Sequence, residues 1–303
     1  MKTFTKTFTK TLCLVLVASA MVSAAQAGEK HKVLILDGQN NHNWKATTPV
    51  LRHALESSGR FTVDVSTSPA KKGSKEAWSA WNPNFSAYDA VLTNYNGQMW
   101  PESVQKALES YVSGGGALVV VHAANNAFTG WLEYNKMIGV GGWGGRTEKN
   151  GPYIRYDVKK QAFWLDKVKG RGGSHGPQHE FFVDVRNADH PITKGMPARW
   201  IHAKDELYDS LRGPAENVTV LATAYSPKSK QHEPMIMTID YGKGRVFHTP
   251  MGHADYSMRC VGFYATLQRG TEWAVTGKVS IPLPKNFPGE DEVVAVDASL
   301  IKK

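Results

Sequence analysis

The stretch Ala117-Leu118-Val119-Val120-Val121 is apolar at every position, sits between Gly114-Gly115-Gly116 and His122, and constrains the fold more than any other part of this chain. A five-residue run without polar alternation is a strand covered on both faces, which requires helices above and below it. Lys32-Val33-Leu34-Ile35-Leu36 repeats the signal near the start. Between the two, the spacing predicts a helix capped near Thr48-Pro49 with Val50, Leu51, Ala54 and Leu55 on one face and a stop at Gly59. A strand at Phe61–Val65, a strand at Tyr88–Asn94, and a helix from Pro101-Glu102 bearing Val104, Leu108, Tyr111 and Val112 complete the alternation. Strand and helix in turn, with short glycine stops, give an α/β class: a doubly wound, mainly parallel sheet with helices on both faces. In such sheets ligands bind beyond the carboxyl ends of the strands, so the loops Gly38–Trp44, Asn94–Trp100 and His122–Asn126 are expected to share one rim.

The pattern breaks between Gly139 and Gly176, where ten glycines in 38 residues are interrupted by Trp143, Tyr153, Tyr156, Phe163 and Trp164. So aromatic a segment is expected to fold over the rim as an insertion of one domain spanning 28–281. Strand signals resume at Phe181–Val185, Val218–Ala222 and Met235–Asp240, the last joined to Arg245–His248 by a glycine-bearing hairpin loop. A last helix is expected over roughly Gly262–Thr276, and the proline-bearing residues 282–303 read as an extended tail. Residues 1–27 read as a secretory leader, with Lys2, Lys6 and Lys10 before an apolar Leu12–Val22 run and Ala25-Gln26-Ala27 at the cleavage point. The run is too short for a membrane span. A soluble periplasmic or secreted protein is therefore expected, its charge falling from +9 to +6 once the three leader lysines are removed. The remaining lysines are scattered, with no recognition motif beside them, which argues against nucleic acid and membrane partners. No nucleotide cofactor is expected, and a homo-oligomer is compatible with the sequence.

With two cysteines in the chain, and Cys260 the only one outside the leader, a disulfide framework and a thiolate-rich zinc site are excluded. Any metal must be held by histidine and carboxylate. Four of the eleven histidines, His42, His122, His179 and His253, stand where polar loops leave apolar strands or follow glycine. Each alone is compatible with hydrogen-bonded core structure; together they suggest metal binding or proton transfer. The strand-turn around His122 has the shape that lifts one side chain to the top of a sheet, but presents imidazole where an acyl-transfer enzyme has Ser or Cys. Trp44, Trp100, Trp131 and Trp143 lie in or near the rim loops, where an indole can stack on a pyranose or simply pack. Trp44, Trp100 and Trp143, with Asn41, Asn94 and Asn125 of the same loops, are the candidate substrate contacts.

Five segments resemble, in order, the ThuA-like (trehalose-utilisation) family. They are Leu34–Trp44, the triple-glycine strand ending in His122-Ala123-Ala124, His190–Pro197, Asp205-Glu206-Leu207-Tyr208, and Gly244–His253. The resemblance covers about residues 32–276. It implies a flavodoxin-like fold similar to that of class I glutamine amidotransferases without their catalytic cysteine, and processing of sugars, particularly those oxidised to a ketone at carbon 3. It places His42, His122, Asp205, Glu206 and His253 at matching positions. Adjacent strand residues face opposite ways, so one of Asp205 and Glu206 should face the site, and Glu206 is favoured. His42, His122 and Glu206 are thus the expected catalytic residues, and His122, His179 and His253 the expected ligands of a divalent metal (zinc, manganese or nickel). The expected function is a metal-assisted lyase or hydrolase of glycosides or 3-keto-glycosides, the alternative being a non-catalytic sugar-binding protein with an aromatic rim. An amidotransferase or peptidase is disfavoured because Cys260 is not at the strand-turn.

Overall fold

The structure, a computed structural model, describes residues 1–3 and 30–301. Nearly all of the leader read over 1–27 therefore lies outside the described residues. Along the described chain run β1 (His31–Asp37), α1 (Trp44–Ser57), β2 (Phe61–Thr67), α2 (Lys75–Ala80), β3 (Ala90–Thr93), α3 (Glu102–Ser113), β4 (Ala117–Val121) and α4 (Leu132–Ile138). Then come β5 (Tyr153–Asp157), β6 (Ala162–Asp166), β7 (Ser174–His175), β8 (His179–Val185), β9 (Arg199–Asp205) and β10 (Tyr208–Asp209). The last elements are β11 (Val218–Ser226), β12 (Gln231–Tyr241), β13 (Gly244–Thr249), α5 (Asp255–Met258) and α6 (Val261–Thr276).

Nine strands form one mixed sheet in the order β2-β1-β3-β4-β13-β12-β11-β8-β9. From β2 to β13 every pairing is parallel. From β13 to β9 every pairing is antiparallel. The change of direction follows from chain length: β12 and β13 are joined through Gly242-Lys243, far too short for the dozen or so residues of a parallel crossover. The parallel half is wound as the alternation predicts. Val33, Ile35, Val119 and Val121 pack with α1 and α6 on one face, while Leu34, Leu36, Leu118 and Val120 pack with α3 and α4 on the other. Every one of these strand residues is buried, and each such side chain contributes about 1.5–3 kcal/mol on leaving water.

Two buried arginines hold the segment 139–176 against the rim. Arg146 donates to the carbonyls of Asn126, Ala127 and Gly142 and to Asn135 Oδ1. Arg212 donates to the carbonyls of Gly151, Val168 and Gly170. The segment carries the β5–β6 hairpin and ends in β7, which pairs with β10 so that His175 lies opposite Tyr208. The tail runs back along the molecule. Gly289 accepts from Ile201 N of β9, Val294 accepts from Val261 N, and Val296 N donates to Arg259, each at 2.8 Å.

Candidate functional site

Three elements of the parallel half deliver imidazoles to one point. His42 comes from the loop after β1, His122 directly follows β4, and His253 lies just past β13. Val121 pairs with Thr249, which sets His122 beside the next residue on β13's path: its Nδ1 donates to the Pro250 carbonyl at 2.7 Å. Only the protonated nitrogen can make that bond, so in the neutral ring Nε2 keeps its lone pair. His122 itself takes the left-handed conformation (φ 45°), a strained setting for a side chain of this size and typical of functional turns. Its Nε2 is buried without a hydrogen-bond partner and lies 3.7 Å from Glu206 Oε2.

Glu206 comes from the antiparallel half, immediately after β9. Its Oε2 is 3.0 Å from His253 Nδ1, and its Oε1 is 3.8 Å from His175 Nε2. Asp205 turns the other way, as the alternation of a strand requires. Fully buried, it accepts from His202 Nε2 (2.8 Å), Glu206 N (2.8 Å), Gly252 N (2.7 Å) and His253 N (2.9 Å). This carboxylate therefore joins the end of β9 to the loop after β13. Gly252 makes that loop with φ 105°, a conformation that a side chain would strain.

One ligand atom from each of His42, His122, Glu206 and His253 lies within 4.8 Å of the others, a group that could hold a metal ion. Burial resists the charge on Glu206, yet the contacts and charges of His122 and His253 outweigh it and hold the carboxyl well below its usual range. His253 is raised, chiefly by its close contact with Glu206. Burial, then the neighbouring His122 and His253, push His42 down to about 3, so that it is neutral at physiological pH. A carboxylate held ionised, beside an imidazole whose second nitrogen is fixed by a carbonyl, is the donor chemistry of zinc and related ions. The orphaned Nε2 of His122 fits the same group, because buried polar atoms are almost always partnered.

An aromatic wall closes one side. The Tyr208 ring stands 4.1 Å from that of His122, and its hydroxyl lies 3.1 Å from His42 Nε2 and accepts from Asn126 Nδ2 at 3.3 Å. Trp143 packs on Tyr208 at 4.6 Å between centroids, with His175 5.9 Å beyond.

A family profile described as ThuA, trehalose utilisation, matches residues 32–274. The chain belongs to the ThuA family. A crystal structure of a ThuA-like protein from Parabacteroides merdae is 43% identical, with a TM-score of 0.85, covering 91% of this chain and all of that one. A second ThuA-like protein, from Bacteroides uniformis, is 20% identical with a TM-score of 0.53, covering 82% of this chain and 93% of that one, and shares the fold. No curated protein matches.

Within this ThuA-family chain the candidate residues separate into two sets. His42, His122, Glu206 and His253 converge, and the exposed Asn41 reaches His42 Nε2 through its Nδ2 at 3.0 Å. Trp44 and Trp143 are half-buried, and Trp143 stands at the site's margin against Tyr208. His179, expected as a metal ligand, is corrected: it stands outside the group, opening β8 beside the edge strand β9, with Nδ1 on the Pro177 carbonyl at 2.8 Å and its ring beside Phe181. His42, expected as a catalytic residue and not as a ligand, joins the group instead. Trp100 is also corrected, since it is buried among Trp81, Tyr95, Phe128 and Trp131 and has no face for a sugar. Trp131 shares that cluster. Asn94 ties α1 to the sheet through Thr47 and Thr48, and Asn125 is buried against His248 Nε2, so neither is a substrate contact. His248 is core, its Nδ1 held by the Ile138 carbonyl. Cys260 is fully buried and offers no nucleophile. Tyr208 and His175 escaped the sequence reading. The signals were there: Tyr208 closes the Asp205–Tyr208 block, and His175 is the single histidine of the glycine-rich insertion.

Proposed function

We propose that this protein is a carbohydrate-processing enzyme, a metal-assisted lyase or hydrolase of glycosides or 3-keto-glycosides, with His42, His122, Glu206 and His253 at its reaction centre. The observation that carries the reading is the buried, unpartnered His122 Nε2 beside a carboxylate and two more imidazoles. Family membership supports the sugar, and residues 1–27 support export to the periplasm. A divalent ion held by this group supplies Lewis-acid polarisation of a carbonyl or of bound water. The chain's own residues do the rest. Burial pushes the Tyr208 phenol upward, so it stays protonated and donates its one O–H to His42 Nε2. Trp143 provides a face for the C–H side of a pyranose. His42, held at about 3, is neutral near pH 7 and brings no proton to a leaving group. In a 3-keto-glycoside the ketone acidifies the adjacent C–H. Removal of that proton and departure of the aglycone, which regains a proton, is elimination; attack by water with the same departure is hydrolysis.

The test is incubation with methyl 3-keto-β-glucoside, first with a chelator and then with zinc, manganese or nickel restored. Product formed only with metal is expected, and no product under any of these conditions contradicts the reading. A non-catalytic sugar-binding protein would use the same half-exposed Trp44 and Trp143. It would keep its sugar affinity in His122→Ala and His253→Ala variants and retain no metal.

A further inference from the structure

Beside the reaction centre lies a cavity of about 610 Å³ whose walls come from the end of the insertion and the turn after β11. His175 stands between the two spaces: its Nε2 is 3.8 Å from Glu206 Oε1, while its ring lines the cavity. Leu207, the residue after Glu206, forms part of the same lining, so the cavity begins one residue from the catalytic carboxylate. Pro177 and Pro227 supply further apolar surface.

The polar groups of this lining are largely spent on the protein itself. His175 Nδ1 bonds the Gly176 carbonyl at 2.8 Å and His179 Nδ1 the Pro177 carbonyl at 2.8 Å. Ser226 Oγ donates to Asp209 Oδ2 at 3.0 Å, and Lys228 Nζ donates to the His175 carbonyl at 2.9 Å, tying the two walls together. A second sugar placed here would surrender the hydrogen bonds of its hydroxyls to water and find few replacements, which is unfavourable. A flat apolar group loses nothing and gains from burial.

We propose that this cavity is the leaving-group subsite and selects glycosides with an aromatic or otherwise apolar aglycone over those whose aglycone is a sugar. The proposal rests on the glycoside reading given above, and it specifies which class of glycoside is taken. A substrate with its reacting carbon at the histidine and glutamate group would pass its aglycone by His175 into the space floored by Leu207. The volume is ample for a ring of phenol size.

Gly176 provides the test. A Cβ there meets only Lys228 Cβ, at 3.9 Å, and its φ is not in the left-handed region, so larger residues can be accommodated into the open space. Affinities of 4-nitrophenyl and methyl 3-keto-β-glucosides are measured by calorimetry on chelator-treated protein, in which no turnover is expected, and on its Gly176→Ala and Gly176→Trp variants and Pro227→Trp, which fills the space from the opposite wall. The aryl glycoside is expected to bind wild type and Gly176→Ala at least about tenfold more tightly than the methyl glycoside. Either tryptophan variant should abolish that preference and leave the methyl affinity unchanged. Equal affinities in wild type, or an equal loss of both in the tryptophan variants, overturns the proposal. Free 4-nitrophenol, followed by saturation-transfer NMR, judges the cavity without any sugar. Binding to wild type that Gly176→Trp removes supports the subsite even if neither glycoside binds, an outcome that would sink the glycoside reading alone; no binding of the phenol overturns the subsite.

Discussion

The two halves of the sheet contribute to the site in different ways. The parallel half, β2 to β13, supplies imidazoles from loops at strand ends: His42, His122 and His253. The antiparallel half supplies the carboxylate and leads into the aromatic wall, because β9 runs on into Glu206 and then Tyr208 of β10, which pairs with His175 of β7. Either half alone is an incomplete site. Asp205 spans the seam, binding His202 and Glu206 N on one side and Gly252 N and His253 N on the other. A metal-like donor set is therefore assembled by strand direction changing midway through one sheet, with one buried carboxylate holding the junction.

The largest predicted effect breaks that junction. Asp205→Ala leaves a buried His202 and three backbone donors unpaired, and should cost about 3–5 kcal/mol in chemical denaturation while releasing any bound metal. A loss below about 1 kcal/mol would mean that the halves hold together without it. Glu206→Gln keeps the shape of the antiparallel contribution but removes its charge. It should reduce kcat/KM on a 3-keto-glucoside by about 100-fold or more with the fold intact by circular dichroism.

A smaller effect belongs to the parallel half alone. Burial pushes His248 down to about 4, whereas in the unfolded chain it titrates near its ordinary 6.5. Below 6.5 the unfolded chain gains a proton that the fold refuses, so this contribution to stability is complete above 6.5 and is lost as the pH falls toward 4. Between pH 7 and pH 5 the loss is about 2 kcal/mol for this one group, and His248→Gln should flatten the dependence of Tm on pH by the corresponding amount. The smallest effect sharpens the seam: Tyr208→Phe removes only the hydroxyl shared with His42 and Asn126 and should change stability by about 1 kcal/mol, while lowering activity by more than that stability change accounts for.

The two halves were also unequally readable from sequence. Continuous runs such as Val33–Leu36 and Ala117–Val121 carry their own instruction to be buried on both faces, and a strand end followed by His122 or a glycine followed by His253 marks the rim without knowledge of any distant partner. The mixed direction of the sheet and the placement of His175 depend on pairings far apart in the chain, such as Tyr208 with His175 across a two-residue ladder. Local pattern holds no record of such pairings. The sequence position favours His179, whereas the structure brings His175, four residues earlier, to Glu206. Trp100 misled for the opposite reason: a rim loop can fold its indole inward, and here an aromatic cluster with Tyr95 and Phe128 takes it. Strand alternation, a local rule, is enough to separate Asp205 from Glu206, though not to say which of the two faces the site.

The central claim is that imidazoles from one half and a carboxylate from the other form a single ion-binding centre. Titrating metal-stripped protein with zinc by calorimetry, beside the His122→Ala and Glu206→Gln variants, tests it most directly. The account predicts a single ion bound per wild-type chain and a loss of affinity of about tenfold or more in each variant. Absence of binding by wild type, or variants that bind as wild type does, would contradict it.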